Sequence, residues 1–316
     1  MKPTEQKSHA SLERLAWITL GATLLVILWG AFVRASGSGA GCGDHWPLCN
    51  GQVLPQSASV KTFVELTHRL TSGLSLLFAL ALYWRCRGAL TVGHPGRSGA
   101  GWTLIFFIVE ALIGAALVKF RLVEGDASAA RAVVIALHLC NTFALLTVLL
   151  WTAMNLREPR RLHLRDEPRL AWLLGAGVAA LLLVGASGGV TALGDTLFPA
   201  ESLAEGIAQD LSPTAHFLIR LRVLHPIFAV ATALLWLALA LRSRLDASAP
   251  GIRRAATAVS AVVTLQTLCG VLNLLWLAPT WLQLTHLALA DALWLSVIWL
   301  VVERLSSPVA LDAAAT

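Results

Sequence analysis

The sequence predicts an all-α membrane protein whose eight transmembrane helices form two pseudo-symmetric four-helix bundles. Three observations lead to this prediction. Of the 316 residues, 57% are hydrophobic and only 13% are charged, whereas a soluble domain carries about 25% charged residues. The chain contains eight separate apolar segments, each long enough to cross a bilayer. Its second half also repeats features of the first half.

A transmembrane helix needs about 20 predominantly apolar residues. The first candidate segment is too long for the apolar core of a signal peptide, so we expect it to remain in the protein as a helix. The candidate segments are residues 15–35, 62–84, 101–120, 132–154, 170–191, 214–241, 254–277 and 281–303.

The positions of the Lys and Arg residues predict the orientation. Most of them lie at one set of segment ends, which places both termini inside and the loops at 36–60 and 191–213 outside. The net charge of +6 is thereby explained without a nucleic-acid partner. If the host is a bacterium, the outer side of the cell membrane is oxidising, and disulfides persist there.

An internal repeat predicts the two bundles. The stretch ASGSGAGCGD at 35–44 resembles ASGGVTALGD at 186–195, and similar pairs of segments follow at similar spacing. Each repeat holds four helices, an even number, so both halves have the same orientation in the membrane. We expect an N-terminal half at 1–156 and a C-terminal half at 157–316.

Four histidines lie inside the predicted spans, one on each even-numbered segment. His68 pairs with His225 in the repeat, and His138 pairs with His286. All four lie in the outer part of the membrane, and ionisable residues at such positions are functional candidates. Zinc usually takes three or four ligands, whereas haem iron takes one or two axial ligands and binds imidazole well. The pattern therefore predicts one haem pocket in each half, held between facing helices.

The two halves differ around these histidines. Glu65 lies three residues before His68, on the same helix face. Arg222 occupies the corresponding place before His225. We interpret the first half as the chemical site and the second as a cofactor or electron-transfer site. A structural alternative for Glu65 is a surface residue favoured by the dipole at the helix start.

Further polar residues lie near the outer ends of the helices. Three arginines could bind haem propionates or serve as interfacial anchors: Arg131, Arg220 and Arg222. Cys42 and Cys49 flank His45 in the first outer loop, and from spacing alone they could form a disulfide, a metal site or a redox device.

The sequence resembles the haem A synthases. The stretch RASGSGAGCGDHWPLCNGQVLP followed by ELTHRL is similar to their first outer loop and second helix. The stretches HLCNTFALL, RVLHPIFA and LTHLALADALW are similar to their other histidine helices. The resemblance covers about residues 14–304, which is nearly the whole chain.

This resemblance implies a membrane oxidoreductase that converts haem O to haem A by oxidising a porphyrin methyl group to a formyl group. It implies a resident haem b on His225 and His286. It also implies a substrate-haem site on His68 and His138, with Glu65 as the catalytic residue.

The resemblance further implies that Cys42 and Cys49 form a disulfide that caps the substrate pocket. Two departures are visible: Glu110 stands where the family pattern leads us to expect a glutamine, and the second outer loop lacks cysteines. The remaining cysteines have the character of structural residues: Cys86, Cys140 and Cys269.

The implied setting is the bacterial inner membrane. The implied partners are a haem O synthase, an electron donor and the machinery that assembles the terminal oxidase, and self-association is open. The main alternative is a quinol-linked di-haem b-type electron-transfer protein, which would not need Glu65 or the cysteine loop. A thiol–disulfide oxidoreductase would need a second outer cysteine pair, and a transporter would need broken helices near the midplane, which the sequence does not indicate.

Overall fold

The computed structural model describes residues 3–55, 59–246 and 249–309. The described residues form ten helices and one two-stranded ribbon. Both ends of the chain, residues 1–2 and 310–316, lie outside the described residues. The elements are α1 (Pro3–Ala35), α2 (Val60–Ala89), α3 (Pro95–Lys119), α4 (Ala129–Arg157), β1 (Arg160–Leu162), α5 (Pro168–Leu197), α6 (Leu203–Leu211), α7 (Phe217–Arg222), α8 (Leu224–Asp246), α9 (Pro250–Leu275), α10 (Thr280–Leu305) and β2 (Ser306–Pro308).

Every predicted segment coincides with a helix or, in one case, with two consecutive helices. Among the described residues, seven spans are long and apolar enough to cross a membrane: α1 from His9 onward, α3, α4, α5, α7 with α8, α9 and α10. Helix α2 does not meet this test, because charged residues near both of its ends shorten its apolar stretch. The chain is therefore a multi-pass membrane protein in which seven of the eight predicted spans meet the test of length and composition.

Local sequence explains where several helices begin. The Ser59 and Ser128 side chains accept hydrogen bonds from the free N–H groups of the first turns of α2 and α4. Proline lies at the first positions of α3, α5 and α9, where its missing N–H costs no helical hydrogen bond.

Helices pack in two rings. In the first, α1 and α3 each contact both α2 and α4. In the second, α5 and α9 each contact both α8 and α10. The rings meet where α4 packs on α5 and where α10 packs on α1 and α4, and one buried apolar cluster runs through both.

Two stacked aromatic side chains lie at the centre of the contact between the two rings of helices. Phe143 of α4 and Trp294 of α10 stack with their ring centroids 4.5 Å apart. The indole N–H of Trp294 donates to the carbonyl oxygen of Phe143 and to Oγ1 of Thr147, both at 2.9 Å. These bonds satisfy a polar group that would otherwise be costly to bury.

Polar contacts join the rings at both ends. On one side, Arg34 at the end of α1 donates to the carbonyl oxygen of Ala192 at 2.7 Å, to Oγ1 of Thr196 at 2.6 Å and to Oε1 of Gln283 at 2.9 Å. On the other side, β1 pairs antiparallel with β2, with Arg160 opposite Pro308. This ribbon adds a small β element to the predicted all-α fold.

One local prediction is confirmed with a change and another is wrong. The span predicted at 214–241 is present as Phe217–Asp246, but it consists of two helices, because the chain breaks at Val223 between α7 and α8. Pro226 follows the break and has no N–H to donate back to residue 222, which weakens a continuous helix there. The loop expected at 191–213 is largely helical, because α5 continues to Leu197 and α6 follows it.

Candidate functional site

The four intramembrane histidines divide into two pairs, one in each ring of helices. His68 of α2 and His138 of α4 belong to the first ring, and His225 of α8 and His286 of α10 belong to the second. Among the described residues, no group of three or more His, Cys, Asp and Glu side chains is placed to hold a metal ion. Two imidazoles per site are a ligand set that suits haem iron better than zinc.

Three of the histidine rings lie directly against a glycine of a neighbouring helix. A Cβ atom on Gly30 of α1 would lie 2.8 Å from Cε1 of His68. The corresponding distances are 3.0 Å from Gly188 to His225 and 3.2 Å from Gly270 to His286. A larger residue would displace the imidazole, so these glycines allow each imidazole to pack directly against the neighbouring helix. For His138 the equivalent glycine, Gly114, has nothing within 4 Å.

Three of the four site histidines have an Nδ1 atom that is buried without a hydrogen-bond partner among the described residues: His68, His138 and His286. Nδ1 of His225 lies 3.0 Å from Oγ of Ser187. Buried polar atoms without partners are rare and usually indicate a missing water, ion or ligand. Each half thus provides two imidazoles, the ligand set that haem iron accepts, and glycines leave room beside three of the four rings.

The surroundings of His138 differ from those of His286. Nδ1 of His138 lies 3.1 Å from Oε1 of Glu110, although its N–H is not aimed at that oxygen in this conformation. Glu110 is itself held, since Asn141 donates to its Oε2 at 2.6 Å and Thr142 donates to its Oε1.

Glu65 is buried, with 3% of its surface exposed. The interpretation as a surface residue at a helix start is therefore wrong. Its Oε2 accepts the backbone N–H of Cys42 at 2.8 Å, and its Oε1 pairs with the Arg69 guanidinium. The carboxylate thus connects the start of α2 to the first loop.

Arg69 is a site residue that sequence reasoning missed. Besides pairing with Glu65, its Nη1 donates to the carbonyl oxygens of His45 and Leu48 at 2.5 and 2.6 Å. Its position directly after His68 in ELTHRL was the available signal, but the loop carbonyls that it binds are more than 20 positions away.

The disulfide between Cys42 and Cys49 is present, which confirms that prediction. Both cysteines are buried, with 0% and 1% of their surface exposed. The loop docks tightly on α2, because Oγ1 of Thr62 donates to the carbonyl oxygen of Gly41 at 2.8 Å. A Cβ atom on Gly41 would collide with the Lys61 carbonyl. We call residues 41–49 the disulfide loop.

An exposed ion pair holds the disulfide loop from its other side. Nη2 of Arg121 lies 2.8 Å from Oδ2 of Asp44. The hydrogen bond and the positive charge of Arg121 hold the pKa of Asp44 below its usual range. Asp44 therefore remains ionised over the physiological pH range.

The three arginines considered as propionate partners differ in their surroundings. Arg222 is already paired, with Asp195 at 3.0 Å and Asp210 at 2.6 Å. Arg131 is buried and donates to the carbonyl oxygens of Glu124 and Asp126. Arg220 is exposed, and its guanidinium contacts no partner among the described residues.

The three remaining cysteines are not paired with one another. Cys86 and Cys269 are buried and Cys140 is partly buried, and all three have free thiols. They lie within α2, α9 and α4, as expected for packing residues.

Fold and site together define a polytopic helical membrane protein with two histidine pairs, one of them beside a buried carboxylate and a disulfide. A sequence model of the family described as "cytochrome oxidase assembly protein" matches residues 13–298. The chain therefore belongs to this family, to which the haem A synthases among its relatives also belong.

Curated relatives carry two names. A Thermus thermophilus protein named protoheme IX farnesyltransferase is 46% identical over 279 residues, which are 88% of this chain and 46% of that protein. Proteins named heme A synthase include one from Staphylococcus saprophyticus, 32% identical over 56% of this chain and 59% of the relative. Another, from Staphylococcus carnosus, is 30% identical over 64% of this chain and 68% of the relative. The chain thus spans about half the length of the Thermus relative.

Proposed function

We propose that this chain is a membrane enzyme that oxidises the porphyrin methyl group of haem O to a formyl group, giving haem A for assembly of the terminal oxidase. The observation that carries the proposal is that the residues around the first histidine pair differ from those around the second. In the first half the buried carboxylate of Glu65 precedes His68 by one helical turn and binds the disulfide loop, whereas Arg222 takes the corresponding place before His225. The relatives named heme A synthase support the same assignment.

The proposed architecture has eight spans in two four-helix bundles, with α2 as the eighth span. The N-terminal half at 1–156 holds the substrate site, and the C-terminal half at 157–316 holds the cofactor site. The enzyme lies in the bacterial inner membrane with both termini in the cytoplasm and the disulfide loop outside. The ring packing of α1 to α4 supports this arrangement, because α2 fills a place between α1 and α3.

In the first half, His68 and His138 hold the substrate haem through its iron. Glu65 lies one helical turn before His68 and keeps its negative charge close to the pocket. A carboxylate there stabilises positive charge that develops on the substrate edge, and it can take up a proton. Arg69 and the N–H of Cys42 fix the direction of the carboxylate, and the disulfide loop keeps water away from the outer mouth.

In the second half, His225 and His286 hold a resident haem b, which supplies one-electron chemistry when bound. Gly188 and Gly270 set the two rings against their neighbouring helices. Of the three outer arginines, Arg220 has the guanidinium that is available for a haem propionate, since Arg222 is already neutralised by two carboxylates.

A haem O synthase is the proposed partner that supplies the substrate. Support comes from the Thermus relative, whose name is protoheme IX farnesyltransferase although this chain matches only 46% of its length. Farnesyl transfer to protohaem is the step that produces haem O, so a supplier and a consumer of haem O would be joined in one chain there. An electron donor, the oxidase-assembly machinery and further copies of this chain in a homo-oligomer complete the proposed set of partners.

The test is the haem composition of cells that express this chain together with a haem O synthase in a host without haem A. Liquid chromatography with mass spectrometry should show haem O replaced by haem A, with the mass change from methyl to formyl. Cells with the synthase alone serve as the control. Tight binding of two haem b groups with no formylated haem would instead support the di-haem electron-transfer protein and refute the proposal.

A further inference from the structure

The two histidine sites differ at one equivalent position of the repeat. In the repeat Glu110 of α3 pairs with Gln266 of α9, just as Gly114 pairs with Gly270 four residues later. Each side chain lies beside a histidine of the following helix, His138 in the first half and His286 in the second. The first site thus has a carboxylate where the second has a neutral amide.

The carboxylate of Glu110 is held firmly in its place. Asn141 donates to its Oε2 at 2.6 Å and also to the carbonyl oxygen of Phe106 at 3.0 Å, so this amide bridges α3 and α4. Thr142 donates its hydroxyl to Oε1 of Glu110, the same oxygen that faces Nδ1 of His138. Nδ1 of His138 lies 3.1 Å from this oxygen, within reach of a hydrogen bond once the ring turns toward it, and Nε2 is then the nitrogen left for a metal.

Gln266 is held less firmly. Its Nε2 lies 3.3 Å from Nε2 of His286, and its Oε1 is buried without a hydrogen bond. Nδ1 of His286 also has no partner among the described residues. A neutral side chain with an unused acceptor therefore stands where the first half has an anchored anion.

We propose that Glu110 is a positioning residue that holds His138 through Nδ1 and makes it a stronger axial donor than His286, so that an iron bound in the first half has the lower reduction potential. This inference rests on the proposed function, because it requires haem in both sites. Hydrogen bonds from a ligating imidazole to a carboxylate fix the ring and raise its basicity. The added negative charge stabilises the ferric iron over the ferrous iron, and such hydrogen bonding is a recognised control of haem potential.

The difference in reduction potential sets the direction of electron transfer between the two sites. A lower potential in the first half favours the transfer of one electron from a ferrous iron bound there to a ferric iron bound in the second half. Replacing the Glu110 side chain by a neutral one would reduce this difference in reduction potential. We expect Glu110→Gln to change the redox equilibrium of the first-site iron by about tenfold, which is 59 mV for one electron.

The test uses the full chain, purified in detergent and loaded with haem O, in a His286→Ala background that empties the second site. Potentiometric titration compares Glu110 with Glu110→Gln, and the optical spectrum reports whether two imidazoles remain bound. We expect Glu110→Gln to keep the spectrum and to raise the midpoint potential. An unchanged midpoint with haem bound would overturn the proposal.

Two further variants separate the charge from the packing. Asn141→Ala loosens the pocket but keeps the carboxylate, so a midpoint shift as large as that of Glu110→Gln would count against the role of charge. Gln266→Glu, measured with haem b in a His138→Ala background, should lower the midpoint of the second site. The Gln266→Glu titration also tests the proposal if Glu110→Gln takes up no haem. An unchanged midpoint potential in Gln266→Glu would overturn the proposal.

These results are distinct from a failure of the proposed function. Haem O and haem b that bind with the expected midpoints but are never converted to haem A would refute the enzyme assignment and support the role of Glu110. A parent chain that takes up no haem O in the first half would refute both.

Discussion

Replacing Glu65 by glutamine should stop haem A formation while leaving the second-half haem b in place. Glutamine has nearly the same size and keeps an oxygen to accept the N–H of Cys42, but it removes the negative charge. Positioned acid–base groups contribute about 100-fold to 10,000-fold. We therefore expect the conversion of haem O to fall by about 100-fold or more.

Glu65 also anchors the disulfide loop, and the free-energy cost of losing this anchor can be estimated. The side chains of Glu65 and Arg69 are only 4% and 11% exposed. Removing one partner of such a buried pair costs about 3–5 kcal/mol, compared with 0–1 kcal/mol for a pair in water. Because glutamine retains one hydrogen bond, we expect loosening of the disulfide loop near the lower end of that range.

Arg69→Gln separates the two roles. It removes the donors to His45 and Leu48 and the partner of Glu65, but it leaves the carboxyl group of Glu65 in place. If Glu65 acts chemically, Glu65→Gln should be at least tenfold less active than Arg69→Gln, even though both variants loosen the loop.

The assay is haem composition by liquid chromatography from matched cultures, together with limited proteolysis of the purified variants. Haem A at the level of the parent chain in Glu65→Gln would refute the catalytic assignment. Equal losses of activity in both variants, with equal loop cleavage, would show that Glu65 acts only by docking the loop.

Three more predictions follow from the site and the helix ends. His225→Ala and His286→Ala should each remove the resident haem b, since alanine supplies no axial ligand; a six-coordinate low-spin spectrum in either variant would contradict this. Gly30→Ala places a methyl group 2.8 Å from a histidine ring carbon and should weaken haem uptake in the first half, whereas Gly114→Ala, with nothing within 4 Å, is the matched control. Burial lowers the pKa of His94, whose neutral Nδ1 accepts the Gly96 N–H at 3.0 Å and caps α3. This cap stabilises the folded protein by about 1 kcal/mol. The stabilisation is complete above a pH of about 6.5, and it is lost as the pH falls through the lowered pKa of His94. Thermal unfolding between pH 5 and 7 should therefore be less pH-dependent in His94→Asn, which keeps an acceptor and does not titrate.

Sequence alone predicts the parts of this molecule that depend on local composition. Apolar length locates all eight helical segments, and the repeat locates the four histidines on facing helices. The disulfide was expected from the resemblance of the loop and is confirmed. In each case the signal lies within one segment or recurs at a constant spacing.

The remaining features depend on contacts between distant segments. Arg222 was considered for haem propionates, but Asp195 and Asp210 neutralise it, and only the fold brings these carboxylates to it. The role of Arg69 depends on where the disulfide loop docks, and the pairing of β1 with β2 joins residues almost 150 positions apart. The break at Val223 had a local signal in Pro226, but proline is tolerated in many membrane helices.

The ties between the two rings limit how the halves can move. Arg34 links α1 to α5 and α10 at one face, the β1–β2 ribbon links the halves at the other, and Phe143 stacks on Trp294 between them. A transporter that rocks one bundle against the other needs an interface that opens at alternate faces, and an interface fastened at both faces does not permit this. In the proposed enzyme these contacts hold the two histidine pairs at one separation, so an electron passing between two bound haems would cross the same distance on every turnover.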